Sequence, residues 1–208
     1  MADLKALSQA IIKGDQAAAT RLTQQALTER TAPGTVLEQG LIAGMNVIGV
    51  RFKANEVYIP EVLIAARAMK MAMVILEPKL VEAGVKPLGK ALMGTVQGDL
   101  HDIGKNLVVM MLKGAGFEVV DAGVDVAPDA FIAKIRECKP QVVGFSALLT
   151  TTMPAMEKTI LAMREAGLPT RVMIGGAPVT QEYAEKIGAD GYAPDAASAV
   201  DVAKRLLN

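Results

Sequence analysis

The segment Gly98-Asp99-Leu100-His101-Asp102-Ile103-Gly104 carries the chain's one histidine, with a carboxylate two residues before it. In a turn or extended segment that spacing can set the carboxylate beside the imidazole. A carboxylate on one ring nitrogen fixes the tautomer, frees the other nitrogen for a metal and raises its basicity. The flanking Gly98 and Gly104 let a bulky ligand approach the backbone. The chain has a single His and a single Cys, Cys138, so a zinc site built from several such ligands cannot be assembled within it. A transition metal would have to bring most of its own coordination. A macrocycle with four equatorial nitrogens needs only one axial residue. The plainer reading is a surface His in a helix-capping loop, with Asp99 or Asp102 as the N-cap.

Composition narrows the partners. The 208 residues are 51% hydrophobic, enough for a sizeable core. Lys and Arg number 22, as do Asp and Glu, for a formal net charge of zero. A nucleic-acid binder held by phosphate neutralisation carries a basic excess, so no nucleic-acid partner is expected. With no Trp, three Tyr and four Phe, no stacking platform for bases is expected either. One cysteine allows no intrachain disulfide and fits a reducing, cytoplasmic setting. Residues 1–15 are amphipathic without an apolar signal core, and no run of ~18 apolar residues predicts a membrane span. A dinucleotide fingerprint, a Gly-Lys-Ser/Thr phosphate loop and a nucleophile elbow are all missing.

The elements that must position the histidine change character near Lys86-Pro87-Leu88-Gly89. Before it, only helices are predicted. Asp3 caps one to about Lys13, and Gly14-Asp15 breaks and restarts it as Asp15 to Arg30. Pro33 opens a third to about Phe52, with Val36, Gly40, Ile42, Ala43, Val47 and Val50 in a helical period. Pro60 opens a long helix, Glu61 to about Ala83, which Pro78 is expected to bend. Four helices with short loops suggest an antiparallel bundle. After Pro87 strands are predicted at 91–96, 117–120, 141–146, 171–175 and 191–192. Helices follow them at 103–114, 128–138, 153–166, 180–187 and 195–206. Five βα units of ~25 residues read as a parallel, doubly wound sheet. Ligands in such sheets bind at the carboxyl ends of strands, at a topological switch point, and the His101 loop follows the first strand.

The run Gly98 to Gly104, continued by Lys105-Asn106, contains Asp-x-His-x-x-Gly and closely resembles the cobalamin-binding module of methionine synthase and of methyltransferase corrinoid proteins. Strand three ends in Gly144-Phe145-Ser146-Ala147-Leu148-Leu149-Thr150-Thr151-Thr152, similar to that family's hydroxyl-rich loop. Strand four ends in Ile174-Gly175-Gly176-Ala177, similar to its glycine pair. The resemblance covers nearly the whole chain. It implies an N-terminal four-helix bundle cap, residues 1–87, over the methyl-bearing face of the corrin. It also implies a Rossmann-like (flavodoxin-like) domain with a five-stranded parallel sheet, residues 88–208, that binds cobalamin.

By the same resemblance, His101 would replace the cofactor's own base beneath cobalt. Asp99 and Thr152 would continue a hydrogen-bonded relay from it; many members have Ser at the last position. Ser146 and Thr150 would contact the displaced nucleotide tail, and Gly175 and Gly176 would leave it room. Gln97, Gly98, Leu100, Asp102, Gly104, Leu148 and Ala196 complete the implied binding set. In the helical part Phe52, Ile59 and Val62 match apolar cap residues, and Glu38 a polar residue that reaches the cofactor. Such apolar positions are otherwise ordinary bundle core.

The implied function is a methyl carrier. Cobalamin, as methylcobalamin or a related corrinoid, would be bound base-off and His-on and shuttle a methyl group through Co(I) and methyl-Co(III). The chain would thus be the methyl-carrying component of a multi-protein methyltransferase system. Its partners would be a substrate-specific methyltransferase, an acceptor methyltransferase using tetrahydrofolate or a thiol, and a reductive activation protein. Donor choice would lie with the partner. Three alternatives remain open: the small subunit of an adenosylcobalamin mutase, a cobalamin-sensing regulator, and a corrin-free flavodoxin-like interaction module. The upper ligand separates the first. A DNA-binding segment and a Trp-bearing cap, neither seen here, mark the second. Failure to take up hydroxocobalamin marks the third.

Overall fold

A computed structural model of the chain describes residues 2–208. It divides into two compact units. One ends at Leu88 and also takes in Gly114–Gly116; the other comprises Gly89–Lys113 and Phe117–Asn208.

The first unit is helical. Helix α1 (Leu4–Lys13) starts where the Asp3 carboxylate accepts the Ala6 N–H at 2.8 Å. It ends at Gly14, whose left-handed φ of 68° favours a residue without Cβ. Asp15 then caps α2 (Gln16–Thr28), accepting from Ala18 N at 2.9 Å. The next helical path is not one α-helix, as its periodicity predicts. It comprises α3 (Pro33–Thr35), a π-helical segment (Val36–Ile42) and α4 (Ala43–Lys53). Val36 and Leu41 are both buried. Five residues of α-helix would rotate one about 140° from the other. The wider turn keeps both on one face. Gly40 and Gly44 let α1 approach closely: a Cβ on Gly44 would lie 2.7 Å from the Ile11 side chain.

Helix α5 (Ile59–Glu82) runs through Pro78 without interruption. Proline deprives the Val74 carbonyl of its helical donor, but both residues are exposed, so water can take its place. Helix α2 packs against α5, and α1 against α2 and α4. No helix among the described residues is long and apolar enough to cross a membrane.

The second unit alternates strand and helix. The order is β1 (Lys90–Thr95), α6 (Ile103–Gly114), β2 (Glu118–Asp121), α7 (Pro128–Cys138), β3 (Val142–Ser146), α8 (Pro154–Glu165), β4 (Arg171–Gly175), α9 (Gln181–Ile187), β5 (Gly191–Ala193) and α10 (Ala196–Leu206). All pairings are parallel and the spatial order is β2-β1-β3-β4-β5. This is the flavodoxin-like order, whose switch point lies between β1 and β3. The connections leaving those two strands carry His101 and Thr152.

Leu92, Val143, Phe145, Val172 and Ile174 of the strands pack with Phe131 and Ile135 of α7 and Met156 and Ile160 of α8. The Phe131 and Phe145 rings meet edge to face at 4.7 Å between centroids. That packing needs Gly94 in β1, because a Cβ there would lie 2.6 Å from the Phe131 ring. Gly94→Ala should therefore lower stability by about 1–3 kcal/mol through overpacking. A urea midpoint equal to wild type would show that the ring moves aside without cost.

Candidate functional site

Strand β1 ends at Thr95, and the chain turns through Gly98 at φ 84° before reaching Asp99. The Asp99 carboxylate is wholly buried yet fully engaged. Its Oδ1 accepts the His101 backbone N–H at 3.0 Å and faces His101 Nδ1 at 2.8 Å. Its Oδ2 accepts from Leu148 N at 2.7 Å, Leu149 N at 3.4 Å and the Thr152 hydroxyl at 2.7 Å. One oxygen thus serves the His loop and the other serves the loop after β3. The Thr152 hydroxyl also lies 2.9 Å from the Leu149 carbonyl. It has one hydrogen, and the anion is the stronger acceptor.

Burial alone pushes a carboxyl pKa up. The N–H groups of Leu148 and His101, the Thr152 hydroxyl and the imidazole outweigh it here and hold Asp99 well below the usual carboxylate range. Asp99 is therefore an acceptor only, so Nδ1 must carry the ring hydrogen. Nε2 then has a free lone pair. The imidazole is about half exposed, at 51%, and Nε2 has no protein partner among the described residues. No cluster of three or more metal-ligating side chains exists among them. A metal here would have one protein ligand and bring the others.

The surroundings fit a large planar group. Leu100 and Ile103 are 72% and 73% exposed, and Leu148 and Leu149 are also exposed, an apolar rim to the polar centre. A Cβ on Gly104 would meet nothing within 4 Å. The glycines after β4 have a different reason. A Cβ on Gly176, at φ 135°, would collide with the Ala147 carbonyl, and one on Gly175 would lie 2.8 Å from the Ala193 carbonyl. Their lack of side chain is demanded first by the protein's own backbone.

The structure brings Asp99, His101, Leu148 and Thr152 into one network. Asp102 is not in it: its carboxylate accepts from the Asn106 side chain at 2.9 Å. Gln97 and Thr150 are exposed loop residues, Ser146 is half-buried at the end of β3, and Ala196 is buried in the first turn of α10. In the helical unit Glu38 is exposed on the π segment, Phe52 is half-buried near the end of α4, and Ile59 is 41% exposed at the start of α5. Val62 is buried.

Sequence reasoning missed three participants. Lys105, only 3% exposed, pairs with Asp121 at 2.6 Å. Burial raises the Asp121 pKa, but the Lys105 ammonium and the Gly123 N–H outweigh it and hold that carboxyl below its ordinary value. Asp125 accepts from Gly98 N at 2.6 Å. The charged residues in Asp121-Ala122-Gly123-Val124-Asp125 were the available signal, but their partners follow only from the β2-β1 pairing.

Because the folded Asp99 pKa is depressed, its contribution to stability is complete above the unfolded value of about 4. It is lost as pH falls through the lower folded value. Asp99→Asn should cost about 1–3 kcal/mol at pH 7, and the gap from wild type should narrow as pH falls below about 4. Urea unfolding of the apoprotein at both pH values measures this; an equal gap would mean the ionised form is not what stabilises the loop.

Comparison with known proteins gives the family. Residues 89–201 match the family model described as B12 binding domain, and residues 3–77 match a second model with the same description. A dimethylamine corrinoid protein of Methanosarcina acetivorans is 43% identical, with 100% of both chains covered. The crystal structure of a cobalamin-binding protein from Desulfitobacterium hafniense aligns over 100% of both chains, with 32% identity and a TM-score of 0.84. The methanol:cobalamin methyltransferase complex MtaBC from Methanosarcina barkeri includes a chain that aligns with a TM-score of 0.87 at 28% identity, covering 98% of this chain and 79% of that one. Built on a helical unit and a five-stranded sheet whose switch point presents His101 on a buried Asp99, the chain belongs to the family of B12-binding corrinoid proteins.

Proposed function

We propose that this chain is the methyl carrier of a multi-protein methyltransferase system. In this reading it holds a corrinoid base-off, with His101 Nε2 as the lower ligand to cobalt. The observation that carries it is the Asp99–His101–Thr152 network, which leaves one imidazole nitrogen free above a buried anion. The bound corrinoid supplies a cobalt centre that can accept and release a methyl group.

The chain's own residues do the rest. Asp99 keeps the hydrogen on Nδ1 and the lone pair on Nε2, and Thr152 keeps Asp99 from turning away. When Nε2 is not engaged by metal it can hold a proton instead, with Asp99 balancing the charge. Leu100, Ile103, Leu148 and Leu149, all exposed, would offer apolar surface for the bound corrinoid to cover. Gln97, Gly98, Asp102, Gly104, Ser146, Thr150, Gly175, Gly176 and Ala196 are proposed to line the path of the corrinoid and its displaced nucleotide tail. The helical residues 1–87, through Glu38, Phe52, Ile59 and Val62, are proposed as the cap of the methyl-bearing face, with residues 88–208 as the cofactor domain. Exclusion of water there would limit side reactions.

The partners in this reading are a donor methyltransferase, an acceptor methyltransferase delivering to tetrahydrofolate or a thiol, and a reductive activation protein, all in the cytoplasm. A dimethylamine relative at 43% identity and a methanol-system relative at 28% share the design, which supports donor choice residing in the partner.

Reconstitution with hydroxocobalamin tests the axial role. His101→Ala should shift the visible spectrum of the bound corrinoid and weaken its retention on gel filtration; an unchanged spectrum would remove His101 from the metal. For the carrier role, the loaded and reduced chain should take up labelled methyl from a methylamine only when the cognate methyltransferase is added. Absence of uptake with every donor methyltransferase tried would sink it.

A further inference from the structure

We infer that Asp125, on the loop between β2 and α7, is a positioning residue for His101. The inference rests on His101 presenting Nε2 to the corrinoid.

An aspartate in a loop ordinarily bonds its own backbone two residues on. Asp125 reaches across to another loop instead. Its Oδ1 accepts the Gly98 N–H at 2.6 Å, and its own N–H donates to the Asp99 carbonyl at 3.0 Å. The Asp99 N–H is taken by the Val96 carbonyl at 3.1 Å. The peptide groups on both sides of Asp99 are therefore fixed, and its carboxylate has little freedom except to face His101 and Thr152. Gly98, at φ 84°, would otherwise be the most mobile link in this segment.

The loop that carries Asp125 is itself anchored. Val126 N bonds the Thr95 carbonyl and Thr95 N the Gly123 carbonyl, both at 3.0 Å. Val96 and Val126 form a parallel bridge. Asp121, at the loop's start, is held by Lys105, four residues beyond His101. The Thr95 hydroxyl bonds the His101 carbonyl at 2.9 Å. The loop thus grips the histidine segment on both sides. Asp125 itself sits at φ 52°, a left-handed conformation uncommon for a residue with a side chain. A bland loop position gains nothing from that cost. Here it aims one carboxylate oxygen and one N–H at two peptide groups of the same segment, one on each side of the Gly98–Asp99 peptide.

Because the chain has one histidine, nitrogen-15 NMR of the full-length apoprotein at neutral pH reads the two ring nitrogens without ambiguity. Wild type should show a single tautomer, with hydrogen on Nδ1. Asp125→Asn keeps the acceptor oxygen and tolerates the left-handed backbone, so it should retain that tautomer. Asp125→Gly relieves the backbone and removes the acceptor, so the two nitrogen shifts should move toward each other as the tautomers mix. Asp125→Ser, too short to reach Gly98 N, should behave like Asp125→Gly. A single Nδ1–H tautomer in either the Gly or the Ser variant would overturn the inference, as would its loss in Asp125→Asn. In the cobalamin-loaded Co(II) state, the axial-nitrogen splitting in the EPR spectrum should weaken several-fold in the Gly and Ser variants and persist in the Asn variant. His101→Ala in the same experiment separates the two readings. With the single histidine labelled with nitrogen-15, His101 on cobalt gives a two-line splitting and the cofactor's own base a three-line one. A three-line splitting in labelled wild type, unchanged in His101→Ala, refutes axial ligation, while a two-line splitting that needs His101 but ignores Asp125 refutes only the positioning role.

Discussion

A buried anion with no spare acceptor capacity governs the cofactor domain. Asp99 has no solvent exposure, and an ionised carboxylate in that setting is tolerated only where donors replace water. Five donors do so, from two loops that leave neighbouring parallel strands. Strand order is the reason those loops meet. With β1 beside β3 at the switch point, the His loop and the Leu148–Thr152 segment emerge side by side. A different order would strand the carboxylate. The fold and the site are therefore one electrostatic problem with one solution.

The helical unit is governed by shape rather than charge. Its close helix contacts depend on small residues, as where Gly40 and Gly44 admit α1, and on a π segment that keeps Val36 and Leu41 on one face. A π segment widens the helix locally and is often found at functional sites. Here it also carries Glu38, the polar residue whose role in the cap is proposed.

Much of this was legible in the residues. The alternation of apolar runs with Gly- and Asp-bearing loops marks the five βα units, because the inner strands β1, β3 and β4 are largely buried on both faces and each turn needs a polar or flexible residue. The His101 loop was legible because one histidine leaves no choice of candidate imidazole. Illegible features share a cause: they depend on what lies opposite in space. Asp125 and Asp121 read as ordinary loop acids until β2 is placed beside β1. Gly175 and Gly176 suggest room for a ligand, whereas their immediate neighbours are the Ala193 and Ala147 carbonyls. The π segment is hidden because an apolar residue at every third to fifth position satisfies an α-helix as well. Pro78 signals a bend by chemistry alone, and only its exposure, and that of Val74, explains why α5 continues through it.

The burial of Asp99 also bears on ionic strength. Counterions weaken a surface charge because they can gather around it, within a Debye length of about 10 Å at 0.1 M salt. None can reach a carboxylate enclosed by Leu148, Leu149, Thr152 and the His101 peptide. Whatever bias that charge exerts on Nε2 is therefore screened far less by salt than the field of a surface carboxylate would be. The exposed charges around the site, Asp102 and Asp125 among them, remain open to screening.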